Sequence, residues 1–121
     1  MHLIKLISLI IVVVLLSFCS DSSIGTNQSP NAVFSVAPST GDTSTVFYFD
    51  ASLSSDPEDP KTLLYFKWDF EGNRVWTEAV DDAEANYKYT KSGNYTVSLK
   101  VIDTDGWSSE TTKSIIVKDT L

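Results

Sequence analysis

Of the 121 residues, one is cysteine and one is histidine. The histidine is His2, so the chain beyond its first residues has none. That excludes Ser-His-Asp and Cys-His nucleophilic sites and His/Cys zinc sites. With Cys19 alone, no disulfide forms within the chain, and packing must supply the stability. A Gly-rich phosphate loop is missing, and so is any helical repeat of apolar residues beyond the first twenty. Basic charge is scarce: nine Lys and Arg stand against sixteen Asp and Glu, a net −7. One of the nine is Lys5, in the apolar N-terminal stretch, so the rest carries about −8. Such a balance argues against nucleic acid, whose phosphates need a basic surface. It suits calcium, or solubility alone. Carboxylates, hydroxyls and aromatics are what is left for chemistry. A carboxylate pair serves glycoside hydrolysis, but about 90 residues of sheet offer no deep cleft. The expectation is that the protein is not an enzyme.

The N-terminus is the one long apolar run. A short basic start, residues 1–5, leads into residues 6–18, apolar but for two serines. That is the layout of a secretory signal peptide. Leu16-Ser17-Phe18-Cys19 resembles a bacterial lipobox, with Phe18 where the family places a small residue. The resemblance implies a signal peptide over residues 1–19, a lipid on Cys19, and a lipoprotein held at the membrane of the bacterial cell envelope. Ordinary cleavage near Ser17 to Ser20, giving a secreted protein, and an uncleaved anchor stay open as alternatives. Residues 20–30 hold one large apolar residue, Ile24, and read as a flexible linker.

From Asn31 the texture is that of short strands. Leu64, Phe66, Trp68 and Phe70 alternate with Tyr65, Lys67, Asp69 and Glu71, the period-two signature of a strand with one buried face. Trp68 is the largest inward group and marks the centre of the core. Before it, Ala32, Phe34 and Val36 share one face of a first strand, and residues 45–51 form a second. Residues 38–42 read as a turn cluster between them. After it come residues 75–77 as a short fourth strand, 85–89 as a fifth, 95–102 as a sixth and 107–118 as a seventh. Turn signals fall roughly every 8–12 residues. The expected fold is an all-β, seven-stranded, immunoglobulin-like antiparallel β-sandwich spanning residues 31–119, after the N-terminal signal peptide.

Three stretches carry a family resemblance. Trp68-Asp69-Phe70-Glu71-Gly72-Asn73 resembles the WDFGDG motif of PKD domains, departing from it after Phe70. Ser55-Asp56-Pro57-Glu58-Asp59 resembles the S-x-D-x-D segment that precedes that motif. Tyr89, Gly93, Tyr95, Val97, Leu99, Val101, Asp103 and Gly106 match its Y-x3-G-x-Y-x-V-x-L-x-V-x-D-x2-G signature. The resemblance implies a PKD-type sandwich acting as a non-catalytic extracellular or periplasmic module for binding or adhesion, contacting protein or polysaccharide. The alternative is a structural spacer or assembly subunit of an envelope complex. The membrane partner would be reached through lipid on Cys19, and no nucleic acid is expected.

Two sets of candidate site residues follow. Alternation of the chain between the two ends of a sandwich puts the start of the first strand and three acidic loops at one end. Calcium takes 6–8 oxygens from carboxylates and carbonyls, and some PKD domains bind it there. The similar positions here are Asn31, Asp56, Asp59 and Asp103. Asp and Asn are also turn formers, so turn chemistry stays open as the other reading. No cofactor is required, and calcium is the one candidate. Trp76 and Trp107 are the exposed aromatics that would stack on a sugar or anchor a protein. Tyr95, opening the sixth strand after a turn, resembles a tyrosine corner.

Overall fold

The alternation around Trp68 becomes β4 (Tyr65–Asp69), with Phe66 and Trp68 buried and Leu64 buried just ahead of it. These coordinates come from a computed structural model, which describes residues 25–120. The signal peptide and Cys19 lie outside the described residues. Among the described residues there are seven strands. β1 (Ser35–Ala37), β3 (Phe47–Asp50) and β5 (Glu84–Tyr87) form an antiparallel three-stranded sheet in the order β1-β3-β5. β2 (Thr40–Asp42), β7 (Ser108–Lys118), β6 (Gly93–Ile102) and β4 form the second sheet in the order β2-β7-β6-β4.

The core lies between the two sheets. β6 sends in Val97, Leu99 and Val101, β7 sends in Ile115 and Val117, and β3 sends in Phe47 and Phe49. Trp68 sits among them, edge-on to Phe34 at 5.2 Å and tilted against Phe49 at 5.5 Å. Aromatic pairs in these geometries contribute about 0.5–1.5 kcal/mol beyond the area they bury. Thr111 is half-buried opposite Leu99. Tyr95 donates its hydroxyl to the Lys91 carbonyl at 2.8 Å, the backward bond of a tyrosine corner.

Two expectations about strands need correction. Residues 38–42 are not merely a turn: Thr40–Asp42 is β2, and it pairs with β7 in parallel. The sandwich is therefore antiparallel except for this one pair. Conversely, residues 75–77 form no strand. Thr77 does lie beside β4, donating its N–H to the Trp68 carbonyl at 2.9 Å. The return bond comes from a side chain, since the Trp68 N–H donates to Thr77 Oγ1 at 3.0 Å. A hydroxyl occupies the place a backbone carbonyl holds in a ladder. Three residues on, Phe66 and Val80 exchange two backbone bonds as an isolated bridge.

The expected linker includes residues that rest on the sandwich. Asn27 Nδ2 donates to Asp103 Oδ2 at 2.7 Å. Gln28 donates to Glu58 from its backbone and its side chain. Pro30 is buried, and its carbonyl accepts the Ser109 hydroxyl.

Candidate functional site

Loops at one end of the sandwich carry the four proposed calcium positions, linked one to the next through backbone groups without their carboxylates converging on one point. Asn31 pairs through its backbone with Ser55, next to Asp56. Asp56 Oδ1 accepts the N–H groups of Glu58 and Asp59 at 2.8 and 2.7 Å, folding that loop on itself. Asp59 Oδ2 accepts the Thr104 N–H and hydroxyl at 2.8 and 2.7 Å, joining the loop to the β6–β7 turn. Asp103 is buried there; its Oδ1 accepts from Asp105 and Trp107, and its Oδ2 from Asn27. Burial raises the Asp103 pKa, but bonds from Asn27, Trp107, Asp105 and Gly106 outweigh it and hold the carboxyl below its ordinary value.

Most of these oxygens are engaged in fastening loops. Asp56 Oδ2 differs, being buried with no hydrogen-bond partner. A buried carboxylate oxygen without a donor is costly unless something positive meets it. Among the described residues, no three His, Cys, Asp or Glu side chains converge in a way that could hold a metal ion by themselves. A cation at this end would therefore lean on Asp56, with Asn31 and backbone carbonyls completing its oxygens.

A second site lies along β5. Phe70 is stacked between Trp68, at 5.8 Å and 7°, and Tyr87, at 4.5 Å and 14°. The stack runs from the core to the surface. Tyr87 donates its hydroxyl to Glu71 Oε1 at 2.7 Å. That bond, with partial burial and the Glu71 charge, pushes the Tyr87 pKa up to about 12. Next to this wall is a cavity of about 300 Å³, lined by Phe70, Glu71, Asn73, Trp76, Thr77 and Tyr87 among others. A second cavity of about 270 Å³ shares Trp68, Phe70 and Thr77 with it. Trp68 lines both, is 2% exposed, and its indole Nε1 is buried without an acceptor.

The segment that carries Trp76 is held by one carboxylate. Buried Asp69 accepts the N–H groups of Glu71, Gly72 and Asn73 on Oδ1, and that of Arg74 on Oδ2 at 2.8 Å. Gly72 sits at φ 70°, and a Cβ there would meet the Thr96 carbonyl at 2.8 Å. Glycine is thus required at this position. Trp76 is half-buried, with the Lys100 ammonium 4.8 Å and the Arg74 guanidinium 5.4 Å from its ring centre. Both cations pair with Glu110 at 3.1 Å. Trp107 is more open, at 55% exposure, and lines neither cavity. The groove wall of Phe70, Tyr87 and Glu71 was not singled out in the sequence. Its one signal there is the run Ala85, Tyr87, Tyr89 on one face of a strand.

This geometry, two facing sheets with Trp68 between them and an Asp-anchored turn after it, defines a class. A family model described as PKD domain matches residues 27–117. The chain belongs to the PKD domain family. Among solved structures, it is 33% identical, at a TM-score of 0.69, to a protein from work on the promiscuous specificity of carbohydrate-binding modules of the β-sandwich superfamily. That match covers 78% of this chain and 36% of the other, so this chain spans about a third of its length. It is 29% identical to the PKD1 domain of Vibrio anguillarum Epp (TM-score 0.61), over 78% of this chain and all of the other. It is also 29% identical to the PKD1 domain of the Vibrio cholerae metalloprotease PrtV (TM-score 0.59), over 77% of this chain and all of the other. No curated protein matches.

Proposed function

We propose that this protein is a non-catalytic, exported binding module that contacts polysaccharide through the groove along β5, with Trp76 and Tyr87 as its aromatic platforms. The observation that carries this reading is the aromatic wall Trp68–Phe70–Tyr87 beside a cavity that also holds Trp76, Glu71, Asn73 and Thr77. Flat rings flanked by a few fixed polar groups suit the apolar face and hydroxyls of a sugar. Similarity to a chain from work on carbohydrate-binding modules supports the same reading. The test is retention of the full chain, in mild detergent, on a panel of insoluble polysaccharides. Retention should be lost in Trp76→Ala and kept in Trp107→Ala. Loss in Trp107→Ala alone would move the contact to the β6–β7 turn. A wild-type chain retained by no glycan, but co-purifying with an envelope protein, would favour the assembly-subunit reading.

The anchor and the ion belong to the same proposal. The apolar run ending at Cys19 supports export and a lipid tether, checked by palmitate incorporation that Cys19→Ser should abolish. The partnerless Asp56 oxygen supports a calcium ion at the acidic end, held by Asp56 with Asn31 and backbone carbonyls, while Asp59 and Asp103 fasten the loops there. Calcium bound only to the folded state raises stability by about 2.7 kcal/mol at a hundredfold excess over Kd. Melting with calcium and with EDTA should therefore give separate curves that coincide in Asp56→Asn. Coincident curves in the wild type would leave these carboxylates as turn formers.

A further inference from the structure

A third cavity adjoins the second along β5. Of about 450 Å³, it shares Glu84, Ala85 and Asn86 with the second and reaches the outer side of β3 at Tyr48 and Asp50. The resulting track is lined by five carboxylates: Glu71 in the first cavity, Glu78 and Glu84 in the second, Asp50 and Asp82 in the third together with Glu84. No Lys or Arg lines any of the three. Among the described residues the ion pairs engage Glu110 only, so none of the five is neutralised by a lysine or arginine. Two cations beside the first cavity, Arg74 and Lys100, lie over Trp76 and are both held by Glu110.

We propose that this track takes a cationic amino-sugar polymer, a chain of glucosamine-type units with free amines, in preference to a neutral glycan. The proposal rests on the glycan-contact reading above and names its ligand class. Uncompensated carboxylates along a groove raise the local concentration of cations and favour a ligand whose charges repeat along its length. The aromatic wall favours rings over an extended peptide. Trp68, whose indole Nε1 is buried without an acceptor, lines the first and second cavities.

The test is calorimetric titration of the full chain, in mild detergent, with a glucosamine oligomer and with the same oligomer N-acetylated. The amine form should bind at least about tenfold tighter, and its advantage should shrink as salt screens the charges. In the double variant Glu78→Gln, Glu84→Gln, both positions exposed, the advantage of the amine form should shrink, with Glu71, Asp50 and Asp82 left in place. Trp76→Ala should weaken both. Equal or tighter binding of the N-acetylated oligomer by the wild type would overturn the charge inference while leaving the glycan reading standing. Binding of neither would overturn both. Oligolysine held as tightly as the amine oligomer, and unaffected by Trp76→Ala, would overturn the sugar as the ligand.

Discussion

Asp69 makes the groove possible. A single buried carboxylate gathers four successive backbone N–H groups and turns the chain so that Trp76 comes back beside Trp68. Hydrogen bonds to a charged acceptor are each worth about 1.5–3 kcal/mol, and buried donors left without one are costly. Asp69→Ala should therefore destabilise by about 2–4 kcal/mol, lowering Tm by roughly 8 °C or more, read by thermal melting. The Trp-Asp pair was legible as a motif, yet the turn's departure after Phe70 gave no hint that Asp69 alone would hold it. Tyr87 makes a second prediction at this scale. Its bond to Glu71 raises its pKa to about 12, against an ordinary 10.0. A folded-state value above the unfolded one contributes stability that is present below the unfolded pKa and lost as pH rises through the folded one. Stability should fall between about pH 10 and 12, and Tyr87→Phe should flatten part of that fall in melts across the alkaline range.

At the level of elements, strands with a buried face were legible and short edge pieces were not. β4 and β6 alternate over enough residues for burial to fix their register. β2 is three residues of turn-forming composition, Thr-Gly-Asp, and it becomes a strand because β7 offers a free edge for it to join. Residues 75–77 looked like a strand because Val, Trp and Thr favour extended backbone. Arg74 just before them takes φ 65°, and Thr77 then meets β4 through its hydroxyl. Asn27 could not be recognised at all, since its partner Asp103 lies 76 residues away. The hydroxyl of Thr77 closes β4 and borders both cavities of the groove. Thr77→Val keeps the shape but leaves the Trp68 N–H without an acceptor. It should cost about 1–3 kcal/mol and speed hydrogen exchange at the Trp68 amide.

For the molecule as a whole, acidity sets the behaviour. Asp42, Asp50, Asp103 and Glu110 all have pKa values lowered below their ordinary ones. For Asp42 and Asp50 the main cause is hydrogen bonds from Ser44 and Ser52, and for Glu110 the bond from Lys100. For Asp103 burial works the other way and is outweighed by its four donors. Carboxyls with lowered folded-state values contribute stability above their unfolded pKa and lose it as pH falls through the folded values. The domain should hold its stability down to about pH 4.5 and lose it progressively below. Asp103→Asn should be less stable near neutrality and show a shallower acid limb, both read from melts across that range. The same excess of carboxylate lines the cavities along β5.

The groove itself is tested most directly by the three tryptophan indole N–H signals in an NMR titration of the full chain, in mild detergent, with a glucosamine oligomer. The Trp76 and Trp68 signals should shift, because both residues line the first cavity, while that of Trp107 stays in place. Shifts confined to Trp107, or no shift in any of the three, would contradict a glycan site along β5.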